Sequence, residues 1–271
     1  MTKISGEVIK IKNLEDTAII LVSFGTADEN ISSRTIDALA DEISAAFNVE
    51  LRQAYTSKFI IKKLERRGIK IFTVSEQISK LRAEGYDKII LLPTHLTPGE
   101  EFDNKIKICA ADDVKVLTPL FSLNCDTDFD KKIFAAVMNC FPHEGRELVL
   151  IGHGSPHRHN AVYENFQRLI DINRADIHIG VIEESDTPNF NHVVERLKNR
   201  HADKILLAPL LFNGGVHVSE DIAGDKNSWK SRLENLNYDV AVCADGLGSF
   251  KNFRQLYIDK LEKFLCSTNA K

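Results

Sequence analysis

The sequence predicts an α/β protein made of two similar parallel four-stranded βα domains that face a cleft across a pseudo-twofold axis. Three observations lead there: short runs that are apolar almost throughout, segments of helical period between them, and motifs of the first half that reappear in the second. Strands covered by helices on both faces read as continuous apolar runs, whereas a strand with one wet face alternates.

The first strand is AIILVSF (18–24), which runs through SFGT (23–26) into a helix. Ile36, Leu39, Ala40, Ile43 and Phe47 then recur at helical spacing and form one apolar stripe. VELRQAY (49–55) is the second strand. Thr73 with Glu76 three residues on is a capping-box signature, and Gly85 is expected to close that helix. KIILLPTH (88–95) and VKVLTPL (114–120) complete the first set. The second set is LVLIG (148–152), IHIGVIE (177–183), KILLAPLLF (204–212) and DVAVCA (239–244), with Thr187 and Pro188 expected to open a helix as N-cap and first-turn proline.

The halves echo each other. SFGT and GHGS (152–155) each end a strand and open a helix, and DKIILLPTHLTPGEE (87–101) aligns without a gap on DKILLAPLLFNGGVH (203–217). The offset between them shortens along the chain, which points to two homologous domains rather than a solenoid of short repeats. The boundary is placed in FPHEGRE (141–147), giving halves 1–142 and 143–271.

Composition excludes several classes. The 35 Lys+Arg against 39 Asp+Glu, without a basic block, exclude a nucleic-acid partner on the usual electrostatic grounds. The longest apolar runs fall well short of the roughly 20 residues of a membrane span, and MTKISGEVIKIKNLED has no signal-peptide core, so a cytoplasmic protein with no membrane partner is expected. The five cysteines are far apart with no CxxC, which predicts reduced, structural thiols. No GxxxxGK[ST], GxGxxG or GxSxG occurs, and the RHG of histidine phosphatases is missing, so nucleotide-driven and acyl-transfer chemistry are disfavoured.

Parallel sheets place functional loops at the carboxyl ends of their strands. His153 sits there between Gly152 and Gly154, His217 follows Asn213, Gly214, Gly215 and Val216, and Glu183 ends the strand between them. Two imidazoles and a carboxylate on successive strand tips compose a half-open site for a divalent transition metal. Against this, single loop histidines are ordinarily solvated, and Glu183 could serve only as a helix cap. Glu184 competes for the carboxylate role, and strand alternation favours Glu183. His157 and His159 are read as a solvated helix entry. His95 aligns with Leu211, which leaves a structural and a functional reading equally open. Glu101 aligns with His217 and is expected to steer cations or accept protons, or else to be an ordinary first-turn glutamate.

With these motifs in order, the chain after about Asp16 resembles the anaerobic sirohydrochlorin cobaltochelatase family of the class II chelatase superfamily, which includes ferrochelatases. The resemblance is carried by SFGT, AYTSKFIIKKL (54–64), THLTPGEEF, GHGS, GVIE, and GGVH followed by NSWKSR (227–232). It implies a chelatase-like fold and insertion of Co²⁺ into sirohydrochlorin on the cobalamin route. His153, Glu183 and His217 are then the metal ligands, with His153 also the proton acceptor. Glu101 and the loop of Phe212, Asn213, Gly214, Gly215, Val216 and His217 contact the ring. No cofactor is implied beyond the substrate metal, although such ligands would also accept Fe²⁺, Ni²⁺ or Zn²⁺. Lys58, Lys62 and Arg158 are candidates for the ring's carboxylates. Ferrochelation of the same ring towards sirohaem and a non-catalytic tetrapyrrole or metal carrier are the alternatives. Homo-oligomer formation is compatible with the sequence but not fixed by it.

Overall fold

The computed structural model describes residues 14–121, 127–154, 161–215 and 218–268. The first half runs β1 (Thr17–Ser23), α1 (Glu29–Arg34), α2 (Ile36–Phe47), β2 (Glu50–Tyr55), α3 (Lys58–Glu65), α4 (Val74–Ala83), β3 (Lys88–Pro93), α5 (Glu100–Lys105) and β4 (Val114–Val116). There follow α6 (Asp128–Cys140), β5 (Glu147–Gly152), α7 (Ala161–Asn173), β6 (Ile177–Val181), α8 (Phe190–Asn199), β7 (Lys204–Pro209), α9 (Trp229–Glu234), β8 (Asp239–Val242) and α10 (Lys251–Thr268).

The strands form two four-stranded parallel sheets of the same order, β2-β1-β3-β4 and β6-β5-β7-β8. The central strands are the most apolar: all of β1 is buried, as are Leu148 to Gly152 in β5. Each buried Leu, Ile or Val contributes roughly 1.5–3 kcal/mol by leaving water. Helix α2 buries Ile36, Leu39, Ala40, Ile43 and Phe47, the stripe read from its spacing. Thr73 and Glu76 form a complete capping box on α4, with Gly85 in a left-handed turn behind it.

Several strands end earlier than their apolar runs. Proline has no N–H for the ladder, and Pro93 and Pro209 end β3 and β7, so His95 and Phe212 belong to tip loops. The expectation that Thr187 and Pro188 open a helix is corrected. The N-cap of α8 is Asn189, whose side chain accepts from the Asn191 and His192 N–H groups, while the Pro188 carbonyl accepts from Val181 N–H at 2.9 Å and belongs to the tip of β6.

The chain divides into two compact units. One comprises residues 1–95, 101–118 and 255–271, and the other residues 96–100 and 119–254. Within the first, the Tyr257 hydroxyl donates to the Thr94 carbonyl at 3.1 Å and Lys260 donates to the Thr118 hydroxyl at 3.0 Å, fixing α10 to that unit. None of the four described cysteines is in a disulfide, and no described helix is long and apolar enough to cross a membrane.

Candidate functional site

At the tip of β5, His153 is exposed and its Nδ1 lies 2.7 Å from the Gly154 carbonyl. A carbonyl only accepts, so Nδ1 carries the proton of the neutral ring and Nε2 holds the lone pair. This is the arrangement by which a backbone carbonyl fixes a metal-binding imidazole. Gly154 has φ +76°, and a Cβ there would fall 3.0 Å from both Asp186 Oδ2 and Val181 Cβ and 3.3 Å from Glu183 Cβ. Only glycine fits this left-handed, crowded position.

The tip of β6 is joined to this turn by its backbone. Ile182 N–H donates to the Gly152 carbonyl at 3.0 Å and Glu183 N–H to the His153 carbonyl at 3.2 Å, which brings Glu183 alongside His153. Strand alternation does not choose between Glu183 and Glu184, because β6 ends at Val181 and both carboxylates are exposed. Their partners separate them. Glu184 accepts from Arg232 Nη1 at 2.7 Å, and that guanidinium lies 3.8 Å from the Phe190 ring centroid. Glu183 makes no side-chain hydrogen bond or ion pair with a described residue.

Two buried groups behind His153 were not legible as site residues. The Tyr163 hydroxyl is buried close to Gly154, His153 and Thr97, and burial pushes its pKa up. The Asp186 side chain is buried and its Oδ2 has no hydrogen-bond partner. A one-dimensional pattern carries no signal for either, since both depend on the loop closing over Gly154.

After β7, Leu210 N–H donates to the Ile151 carbonyl at 2.8 Å, holding the loop to β5. Phe212 is buried with its ring against Gly248, while Asn213, Gly214 and Gly215 are half-buried. Val216, His217, His157, Arg158 and His159 lie outside the described residues. Of the three expected metal ligands, the structure thus brings His153 and Glu183 together. Among the described residues no group of three or more His, Cys, Asp or Glu is placed to hold a metal ion.

In the other unit, Glu101 near the start of α5 accepts from Lys105 Nζ at 2.8 Å, and Lys105 also donates to the Thr56 carbonyl at 3.1 Å. His95, just beyond β3, keeps a partly exposed edge, but both ring nitrogens are buried without a hydrogen-bond partner. Burial lowers its pKa to about 4, opposed by the Glu101 charge and assisted by that of Lys105. Phe24 is exposed just past β1, and Phe59, Lys58 and Lys62 are exposed on α3.

The two four-stranded parallel sheets give the chain a chelatase-like α/β fold. SirB from Bacillus subtilis, solved with Fe³⁺, superposes with a TM-score of 0.55 at 15% identity over 94% of this chain and 98% of that one. The model of the family described as cobalt chelatase (CbiK) matches residues 17–265, and the chain belongs to that family. Among curated relatives, the sirohydrochlorin cobaltochelatase of Salmonella typhimurium is 26% identical over 261 residues, 92% of this chain and 96% of that protein. Sirohydrochlorin cobaltochelatase CbiKC of Nitratidesulfovibrio vulgaris is 27% identical over 252 residues, 90% of this chain and 88% of that protein.

Proposed function

We propose that the chain inserts Co²⁺ into sirohydrochlorin without ATP, with His153, Glu183 and His217 holding the metal and His153 accepting a pyrrole proton. The observation that carries the reading is the pair at the tips of β5 and β6: an imidazole whose Nδ1–H is held by a carbonyl, with an unengaged carboxylate fastened beside it. The two sirohydrochlorin cobaltochelatases that resemble it over about nine-tenths of its length supply the substrate.

Chelation exchanges two pyrrolic protons for one divalent cation. A neutral imidazole suits both holding the metal and taking a proton near pH 7. Few protein ligands favour release, because the four ring nitrogens must win the metal, and their doing so removes the need for nucleotide energy. Glu101 and the loop 212–217 contact the ring, and Lys58 and Lys62 attract its carboxylates. The second repeat half, 143–271, carries the metal ligands. The protein works in the cytoplasm.

An anaerobic absorbance assay with sirohydrochlorin and Co²⁺ tests this. Catalytic appearance of cobalt-sirohydrochlorin is expected. Stoichiometric binding of ring or metal without turnover would make the protein a carrier, and turnover with Fe²⁺ but not Co²⁺ would make it a ferrochelatase.

A further inference from the structure

Among the described residues two carboxylates are buried, Asp130 and Asp186. Asp130 is satisfied: it accepts from the Thr127 N–H at 3.0 Å within the capping box of α6. Asp186 is not. It is 8% exposed, its Oδ2 has no hydrogen-bond partner, and no described Lys, Arg or His is paired with it. A carboxylate taken out of water without a partner opposes folding, so packing alone gives no reason to keep it where asparagine or an apolar side chain would serve.

Its surroundings supply a reason. The Asp186 N–H donates to the Glu183 carbonyl at 3.1 Å, so the two acidic residues are the ends of one turn beyond β6. The Asp186 Oδ2 lies against the turn beyond β5: a Cβ built on Gly154 would fall 3.0 Å from that oxygen and 3.3 Å from Glu183 Cβ. The Gly154 carbonyl in turn holds His153 Nδ1 at 2.7 Å. The buried carboxylate therefore sits behind the residue that fixes His153 and at the far end of the turn that presents Glu183. All four residues belong to one compact unit.

We propose that Asp186 is the fixed counter-charge of the metal site, drawing a divalent cation to His153 and Glu183 without coordinating it. The proposal rests on the chelatase reading. Among the described residues no three of His, Cys, Asp or Glu are placed to hold a metal ion together, so Asp186 does not join that pair as a third ligand and acts through space. A carboxylate shielded from water attracts a doubly charged ion more strongly than an exposed one does. This suits an ion that has to be handed on. Every protein–metal bond must break before the ring nitrogens take the cation, whereas a charge behind the ligands raises affinity and adds no bond to break. The bound cation also offsets the cost that the carboxylate imposes on the fold, which couples metal binding to stability.

The test titrates Co²⁺ into the full chain at fixed pH, in wild type, Asp186→Asn, Asp186→Ala and Glu184→Gln, and reads the melting temperature of each without added metal. Asp186→Asn should bind Co²⁺ about ten- to a hundredfold more weakly, the usual range for groups that support a metal from outside its ligands. Its metal-free melting temperature should equal or exceed that of wild type, a combination that loss of a merely structural contact would not give. The weakening should persist at high salt, because a buried charge is little screened. Glu184→Gln removes an equal charge from an exposed ion pair and should stay within about threefold. Wild-type Co²⁺ affinity in Asp186→Asn, an equal loss in Glu184→Gln, a loss that vanishes at high salt, a lower metal-free melting temperature in both Asp186 variants, or failure of both to fold would each overturn the proposal. Turnover with sirohydrochlorin is measured alongside. A wild type that binds Co²⁺ through Asp186 yet turns over no ring would overturn the chelatase reading and leave the counter-charge, whereas an active wild type with unweakened Asp186→Asn overturns the counter-charge alone.

Discussion

Replacing Gly154 by alanine should damage both stability and metal binding, and the size of the effect follows from local geometry. At φ +76° an L-residue costs about 1–2 kcal/mol over glycine. The new methyl would also meet Asp186 Oδ2 and Val181 Cβ at 3.0 Å and Glu183 Cβ at 3.3 Å, overpacking that typically costs about 1–3 kcal/mol. Restricting the unfolded chain returns about 0.4–1 kcal/mol, leaving a net loss of roughly 1–5 kcal/mol, centred near 3. Gly145 in the same compact unit is the control: its φ is +74°, yet a Cβ there meets nothing within 4 Å. Gly145→Ala should therefore carry only the backbone component, about 1 kcal/mol. Urea denaturation of both variants measures the difference, and Co²⁺ titration should show loss only in Gly154→Ala, whose carbonyl holds His153 and whose neighbours include Glu183. Equal destabilisation of the two, or unchanged Co²⁺ affinity in Gly154→Ala, would refute the crowded turn as the support of the site.

Glu183→Gln should lower the chelation rate strongly while Glu184→Gln removes only the exposed ion pair with Arg232, about 0–1 kcal/mol of stability; the reverse ranking in the absorbance assay would transfer the carboxylate role. His217→Ala should lose Co²⁺ affinity with the fold retained, and equal titration curves would remove it from the ligand set. The Asp176 carboxyl is held at about 2, chiefly by the Arg174 hydrogen bond, so its contribution is present above the usual carboxylate range and is lost as pH falls from about 4 to 2. Arg174→Met should thus be less stable at pH 7, with the deficit closing over that interval; a deficit independent of pH would contradict the assignment. Raising salt should increase the apparent KM for the ring through screening at the exposed Lys58 and Lys62, and a salt-independent KM would point to backbone amides as the carboxylate holders.

The central strands were legible because a strand buried on both faces is written almost wholly in apolar residues, and α2 because its five core positions repeat at helical spacing. What the sequence blurred was where strands stop. KILLAPLLF stays apolar beyond the ladder because Leu210 and Phe212 are buried beneath a loop, and only the proline marks the end. The same overshoot led alternation to be applied to Glu183 and Glu184, which lie past it. Thr187 and Pro188 carried a helix-start signature, but tertiary pairing of Pro188 with Val181 claimed them for the strand tip and left the cap to Asn189. His153 announced itself by flanking glycines, whereas the isolation of the His95 nitrogens is a property of the folded surroundings that no spacing encodes.

The way α10 is shared has a consequence for how such a gene can be cut. Residues 255–271 complete the unit that holds β1 to β4, while α6, from before the repeat boundary, completes the unit that holds β5 to β8. A fragment ending at residue 142 would thus lack Tyr257, whose hydroxyl caps the carbonyl of Thr94 beside β3, and a fragment starting at 143 would lack α6, which belongs to its own unit. Neither would inherit a finished interior. Fragments made at that cut should therefore regain structure only when mixed.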